Sequence, residues 1–161
     1  MKFVKEYLSY ICIILLVIII RTFIATPIIV QGESMVPTLK GGELMILKKF
    51  DKTYERFDIV VVNKSVEGNN LIKRVIGLPG EKIRYKNGNL YINDEIIEDI
   101  YAYGDTNNFQ EIILGEDEYF LMGDNRSVSL DSRILGAIKK DEIEGTTNLV
   151  LYPFNKIGIV K

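Results

Sequence analysis

Hydrophobic and polar positions follow two regimes along this chain. From Tyr7 to Ile20 the run YLSYICIILLVIII carries no charge, whereas after Pro27 apolar residues come in short extended runs broken by turn residues. The first regime predicts a helix. Its uncharged part covers only ~21 Å at ~1.5 Å per residue, less than the ~30 Å hydrocarbon core of a bilayer. Extending it to about Val4–Ile24 puts Lys5, Glu6 and Arg21 near the ends, where long charged side chains reach the interface, and gives a spanning length. The exit RTFIATPIIV offers no small-x-small cleavage site near the apolar run, which favours a retained anchor over a removed signal peptide. A buried soluble helix is the bland alternative, but a helix apolar on all sides is hard to cover in so small a domain. Lys2 and Lys5 before the helix, against Arg21 after it, favour a short cytoplasmic N-terminus (residues 1–6) and an extracytoplasmic body (residues 27–161).

The second regime predicts strands: TPIIV, ELMIL, FDIVVV, NLIKRVIG, EKIRY, NLYIND, EYFLMG and TNLVLYP. Asn87-Gly88, between IRY and LYI, supplies the positive φ angles of a type I′ hairpin turn. GLPGE at 77–81 suits a type II turn with Pro79 then Gly80. The expected fold is mainly β, a curled or barrel-like sheet with one N-terminal transmembrane helix. The region of about residues 85–118 is more polar and less regular, and IIEDIYAYGDTNNFQ reads as a loop or edge excursion, a small insertion rather than core.

Composition narrows the function. The chain has 161 residues, 47% of them apolar, and a formal charge of −2 without a basic run, so nucleic acid is not expected as a partner. It contains no histidine, which removes Ser-His-Asp and Cys-His hydrolysis and the His-containing zinc sites together. The single cysteine, Cys12, lies in the apolar run and excludes an intramolecular disulfide.

A serine hydrolase without histidine needs another base, and lysine serves if its pKa falls toward the working pH. Most lysines here sit among polar or turn residues. Lys73 differs, because the period of two in NLIKRVIG places Leu71 and Val75 on its face and Ile72, Arg74 and Ile76 on the other. Ser34, in QGESMVPTLK, is the matching hydroxyl. Each segment has a plain alternative: a snorkelling lysine at a strand edge, a Ser-x-x-Pro loop bonded to its own backbone, and a polar turn in GDNRSVSLDSR.

Taken together and in order, an apolar N-terminal helix, SMVPTL at 34–39, FDIVV at 57–61, KRVIGLPGE at 73–81 and GDNRSVSLDSR at 123–133 resemble bacterial type I signal peptidases. The likeness covers nearly the whole chain and is nearest the minimal Gram-positive form. It implies a β fold shared with self-cleaving SOS-repressor peptidases, Ser34 as nucleophile and Lys73 as general base. Ser129 would orient the lysine, and Arg74, Asp124, Asp131 and Arg133 would hold the site's architecture. Some members place an oxyanion-binding serine two residues before the nucleophile; this chain has Gly32 there, leaving a second donor unassigned. By position in the family pattern, Ile28, Val30, Met35, Leu39 and Ile72 would line shallow pockets accepting alanine. The resemblance implies no cofactor or metal, exported preproteins as substrates, and the lipid bilayer and the secretion translocon as partners. Two other readings stand beside it: a self-cleaving SOS-repressor-type peptidase, and a non-enzymatic membrane-anchored β module.

Overall fold

The computed structural model describes residues 2–50, 52–66 and 69–161. Helix α1 spans Lys2–Ile19 and continues as a π-helical turn over Ile20–Ile24. Its window Tyr7–Ile24 has a mean hydropathy of 2.4 and no residue buried against the rest of the chain. An apolar surface left wholly uncovered by protein is long enough to cross a membrane. Met1, and the side chains of the flanking charges Lys2, Lys5 and Glu6, lie outside the described residues.

The body is antiparallel β. Strands β1 (Ala25–Ile29), β2 (Leu44–Lys48), β3 (Ile59–Val66), β4 (Asn69–Gly77), β9 (Glu118–Met122), β10 (Ile138–Lys139) and β11 (Ile143–Tyr152) form one sheet in the order β1-β2-β11-β3-β4-β9-β10. Short β12 (Gly158–Ile159) adds to β11. The sheet curls into a half-barrel. Residues 59–62 of β3 are apolar without a break because both faces are covered there. Val60, Val62 and Val75 pack on one side with Tyr54, Tyr119, Leu121, Ile138 and Ile143. Ile59 packs on the other with Val30, Met35, Leu39, Met45 and Val150.

A second sheet, in the order β7-β6-β5-β8, comprises β5 (Lys82–Lys86), β6 (Asn89–Ile92), β7 (Glu95–Ile97) and β8 (Phe109–Ile113). The β5–β6 hairpin turns at Asn87 and Gly88 with φ of 52° and 80°, the two positive angles that Asn-Gly accommodates. Pro79 and Gly80 make the turn into β5, with Gly80 at φ 78° and the Glu81 N–H donating to the Leu78 carbonyl at 3.2 Å. Ile83, Tyr85, Leu90 and Ile92 from this sheet pack with Ile76, Phe120 and Met122 of the main one, so the two share a core. The stretch read as irregular therefore begins and ends in strands β7 and β8. Only residues 98–108 between them lack regular structure, apart from an isolated bridge between Tyr103 and Asn125.

The register leaves two edges free near one another. Among the described residues β1 pairs only with β2, and β9 meets β4 only from Arg74 onward, so Leu71, Ile72 and Lys73 are bonded on the β3 side alone. Ile28 of β1 and Ile72 of β4 pack against the same apolar cluster.

Candidate active site

Ser34 stands on the loop between β1 and β2. The loop's neck is closed by backbone bonds, Val30 N–H to the Glu43 carbonyl and Gly42 N–H to the Val30 carbonyl, both 2.9 Å. Met35 and Leu39 root it in the core, and the Leu39 N–H donates to the Met35 carbonyl at 2.9 Å. The Glu43 carboxylate, itself buried, takes Lys156 Nζ at 2.6 Å and the Lys40 N–H at 3.1 Å. The Ser34 carbonyl accepts the Asn125 N–H at 3.0 Å, tying the loop to the segment after β9. Gly32, two residues earlier, is exposed at φ +73°, a left-handed conformation that disfavours a side chain.

Lys73 extends from β4 opposite Val60 and is 3% exposed. Its neighbours two positions away, Leu71 and Val75, both pack in the apolar cluster of β3 and β9. Lys73 Nζ lies 2.7 Å from Ser34 Oγ. Burial lowers its pKa from 10.5 to about 8; Asp131 and Asp124 act the other way, and Arg133 adds to the lowering. The amine is thus poised where a general base is useful.

Two ion pairs, one fully buried and one partly exposed through Arg133, frame the lysine. Arg74, next on the strand, grips Asp124 with two bonds of 2.7 Å, both side chains fully buried. Its guanidinium also donates to the Phe57 carbonyl at 2.7 Å and to Thr38 Oγ1 at 3.4 Å, and the Tyr101 ring covers it at 3.7 Å. Asp131 caps the short helix α2 (Ser132–Leu135) and holds Arg133 through two bonds of 2.8 Å. Burial alone would raise the Asp131 pKa. Hydrogen bonds from Arg133 and from the Gly123 N–H, with the nearby Ser129 hydroxyl, outweigh it and keep the carboxyl below its ordinary range. The Ser129 hydroxyl, buried beside Gly123, influences Asp131 but has full hydrogen-bond geometry with neither Asp131 nor Lys73.

The structure brings Ser34, Lys73, Ser129, Arg74, Asp124, Asp131 and Arg133 into one neighbourhood, and it gathers Ile28, Val30, Met35, Leu39 and Ile72 into one apolar cluster. Within that cluster Val30, Met35 and Leu39 are fully covered, while Ile28 and Ile72 are partly open. Sequence reasoning overlooked three residues. A Cβ on Gly123 would collide with Ser129 Oγ and come 2.5 Å from the Ser34 carbonyl, so only glycine fits there. Arg126 donates to the Gly123 carbonyl at 2.9 Å and pairs with Asp99 at 2.5 Å. Gly123 and Arg126 belong to the GDNR motif and were within reach; Asp99, 27 residues from Arg126, carries no local signal.

The sequence pattern of the family described as "Signal peptidase, peptidase S26" matches residues 3–152. The chain belongs to that family. It is 40% identical over 163 residues to signal peptidase I P of Bacillus subtilis subsp. natto, covering 92% of this chain and 88% of that one. It is also 40% identical to signal peptidase I U of Bacillus subtilis strain 168, over 96% and 90% of the two chains. A crystal structure of a signal peptidase I from Enterococcus faecalis V583 superposes with a TM-score of 0.52 at 33% identity, covering 58% of this chain and 96% of that one. Membership makes the chain a serine peptidase, which a binding-only module is not.

Proposed function

We propose that this chain is a membrane-bound endopeptidase that removes N-terminal signal peptides from exported preproteins, cutting after Ala-x-Ala-like sequences with Ser34 and Lys73. The contact of 2.7 Å between Lys73 Nζ and Ser34 Oγ carries the reading, since this chain has no histidine to serve the serine. At a pKa of about 8, about one lysine in eleven is neutral at pH 7, against about one in 3,000 at 10.5. Burial therefore raises the population of competent base by about 300-fold.

Neutral Nζ takes the Ser34 hydroxyl proton as Oγ bonds to the scissile carbonyl carbon. The resulting oxyanion accepts the Ser34 backbone N–H. The ammonium then gives its proton to the leaving amine, the C–N bond breaks, and an ester to Ser34 remains. Water, deprotonated by Nζ, attacks that ester; the C–O bond breaks and Oγ recovers its proton. Arg74, Asp124, Asp131 and Arg133 move no proton and fix the field around Nζ, while the Ser129 hydroxyl, unbonded in the resting site, receives the ammonium once it forms.

The substrate adds as an extended strand between β1 and residues 71–73 of β4, where main-chain groups supply the alignment. Ile28 and Ile72 face its alternate side chains over the floor made by Val30, Met35 and Leu39, leaving room for alanine. With the N-terminus cytoplasmic and the body outside, Ser34 lies ten residues beyond Ile24, within ~35 Å of the helix end even when fully extended. Tethering enzyme and preprotein to one bilayer raises their effective concentration.

The test is cleavage of a preprotein by the detergent-solubilised enzyme. The wild type is expected to cut after Ala-x-Ala, and Ser34→Ala and Lys73→Ala to be inactive yet folded; full activity in either variant refutes the dyad. Protease access in sealed vesicles checks topology, with the body cleaved only from the outer face.

A further inference from the structure

Residues 98–108 leave the second sheet after β7 and return to it at β8, yet their first half lies on the main sheet's catalytic segment. The Tyr103 N–H donates to the Asp124 carbonyl at 2.8 Å, and the Tyr103 carbonyl accepts the Arg126 N–H at 2.9 Å. Asp99 meets Arg126 at 2.5 Å, with side chains 6% and 0% exposed. Between these two fastenings the Tyr101 ring lies 3.7 Å from the Arg74 guanidinium. Phe57 packs on Tyr101 at 5.3 Å between ring centroids, and its carbonyl receives Arg74 Nη1. The guanidinium thus has Asp124, the Phe57 carbonyl, Thr38 Oγ1 and, at 3.5 Å, the Lys161 oxygen along its edge and an aromatic face over its plane. Asp124 and Asn125 in turn carry the link to Arg74 and to the Ser34 carbonyl.

We propose that Asp99–Tyr103 is a strap that positions the catalytic charges, and that Tyr101 is the positioning residue through which it acts on Arg74. The inference rests on Lys73 being the base. The groups facing Lys73 are Asp124, Asp131 and Arg133, with Arg74 adjacent on the strand and the Ser34 and Ser129 hydroxyls nearby. An aromatic face over a guanidinium both attracts the cation and excludes water from its plane. Without the ring, water reaches the Arg74–Asp124 pair, the pair loosens, and less of the Asp124 charge is neutralised. A less neutralised Asp124 carboxylate favours the protonated lysine, which gives the direction of the effect.

The experiment compares pH profiles of kcat/KM on a soluble peptide substrate in detergent for wild type, Tyr101→Ala, Tyr101→Leu and Tyr101→Phe. In Tyr101→Ala the rising limb is expected to move up by about one pH unit, a tenfold loss at neutral pH that recovers in alkali. Tyr101→Phe, which keeps the ring, is expected to follow the wild type. Tyr101→Leu fills the space without a π face and carries the same upward shift should the alanine variant fail to fold. A uniform loss at every pH, with the limb unmoved, means a merely structural segment and overturns the proposal; so does a phenylalanine variant that shifts like the alanine one. Lys73→Ala assayed alongside separates the two failures: if it is inactive while Tyr101→Ala and Tyr101→Leu keep the wild-type limb, the strap alone is wrong, and if it is active the base assignment fails first.

Discussion

Replacing Asp124 by asparagine leaves the shape of the site nearly intact and removes one charge from its most enclosed ion pair. Arg74 and Asp124 are both fully buried and joined by two bonds of 2.7 Å. Breaking one side of such a pair costs ~3–5 kcal/mol, because the remaining ion is left in a medium that solvates it poorly. The asparagine oxygen still accepts one bond, and the Phe57 carbonyl and the Tyr101 ring still touch the guanidinium, which places the loss near the lower bound. For a domain of this size each kcal/mol shifts the midpoint by ~2–4 °C, so a fall of roughly 10 °C is expected. The double substitution Arg74→Met with Asp124→Leu removes both charges and is expected to be no less stable than Asp124→Asn alone, although the Phe57 carbonyl then lacks its partner at a cost of ~1–3 kcal/mol. Near-ultraviolet circular dichroism during thermal unfolding in detergent reads this through tyrosine, since the chain has nine tyrosines and no tryptophan. A loss below ~1 kcal/mol for Asp124→Asn, or a double variant as unstable as the losses of Arg74→Met and Asp124→Leu measured singly and added, would refute the view that this pair is an enclosed, mutually dependent unit.

Three further outcomes follow from the same geometry. Lys73 has a folded-state pKa of about 8 against 10.5 for the free side chain, so between these values the unfolded chain binds more protons and stability rises with pH. Below pH 8 the buried ammonium costs about 3 kcal/mol, and Lys73→Met is expected to melt higher than wild type at pH 7, with the gain fading by pH 10.5; equal midpoints at both pH values contradict this. Gly123→Ala drives a methyl against Ser129 and the Ser34 carbonyl and is expected to lower kcat by about 100-fold through misplacement of the reacting groups, checked by single-turnover cleavage. Gly145→Ala meets the Lys48 carbonyl where β11 passes β2 and is expected to lower the melting midpoint more than Gly123→Ala does, with a smaller loss of kcat in the protein that remains folded.

What could be read from the sequence was local in origin. Asn87-Gly88 and Pro79-Gly80 declare their turns because the required φ angles suit few other residues, and the apolar run at 59–62 declares a strand covered on both faces. The enclosure of Lys73 was visible as Leu71 and Val75 at the strand period. β7 and β8 escaped notice for a physical reason: they are short, edge-placed and half exposed, and are ordered by pairing with β6 and β5 rather than by their own pattern. The strap was hidden for a related reason. Contacts of Asp99 with Arg126 and of Tyr101 with Arg74 join residues 27 apart in both cases, and polar residues in an irregular run look alike whether they face water or an ion pair.

The central claim is that a lysine whose pKa burial lowers to about 8 accepts the Ser34 proton. Its most direct test is the pH dependence of single-turnover cleavage by the wild-type enzyme, with the acylation step rate-limiting. A single rising limb with its midpoint near pH 8, following the Lys73 pKa of about 8, is the expected result. A rate independent of pH between 6 and 10, or a limb centred above pH 10, would contradict it.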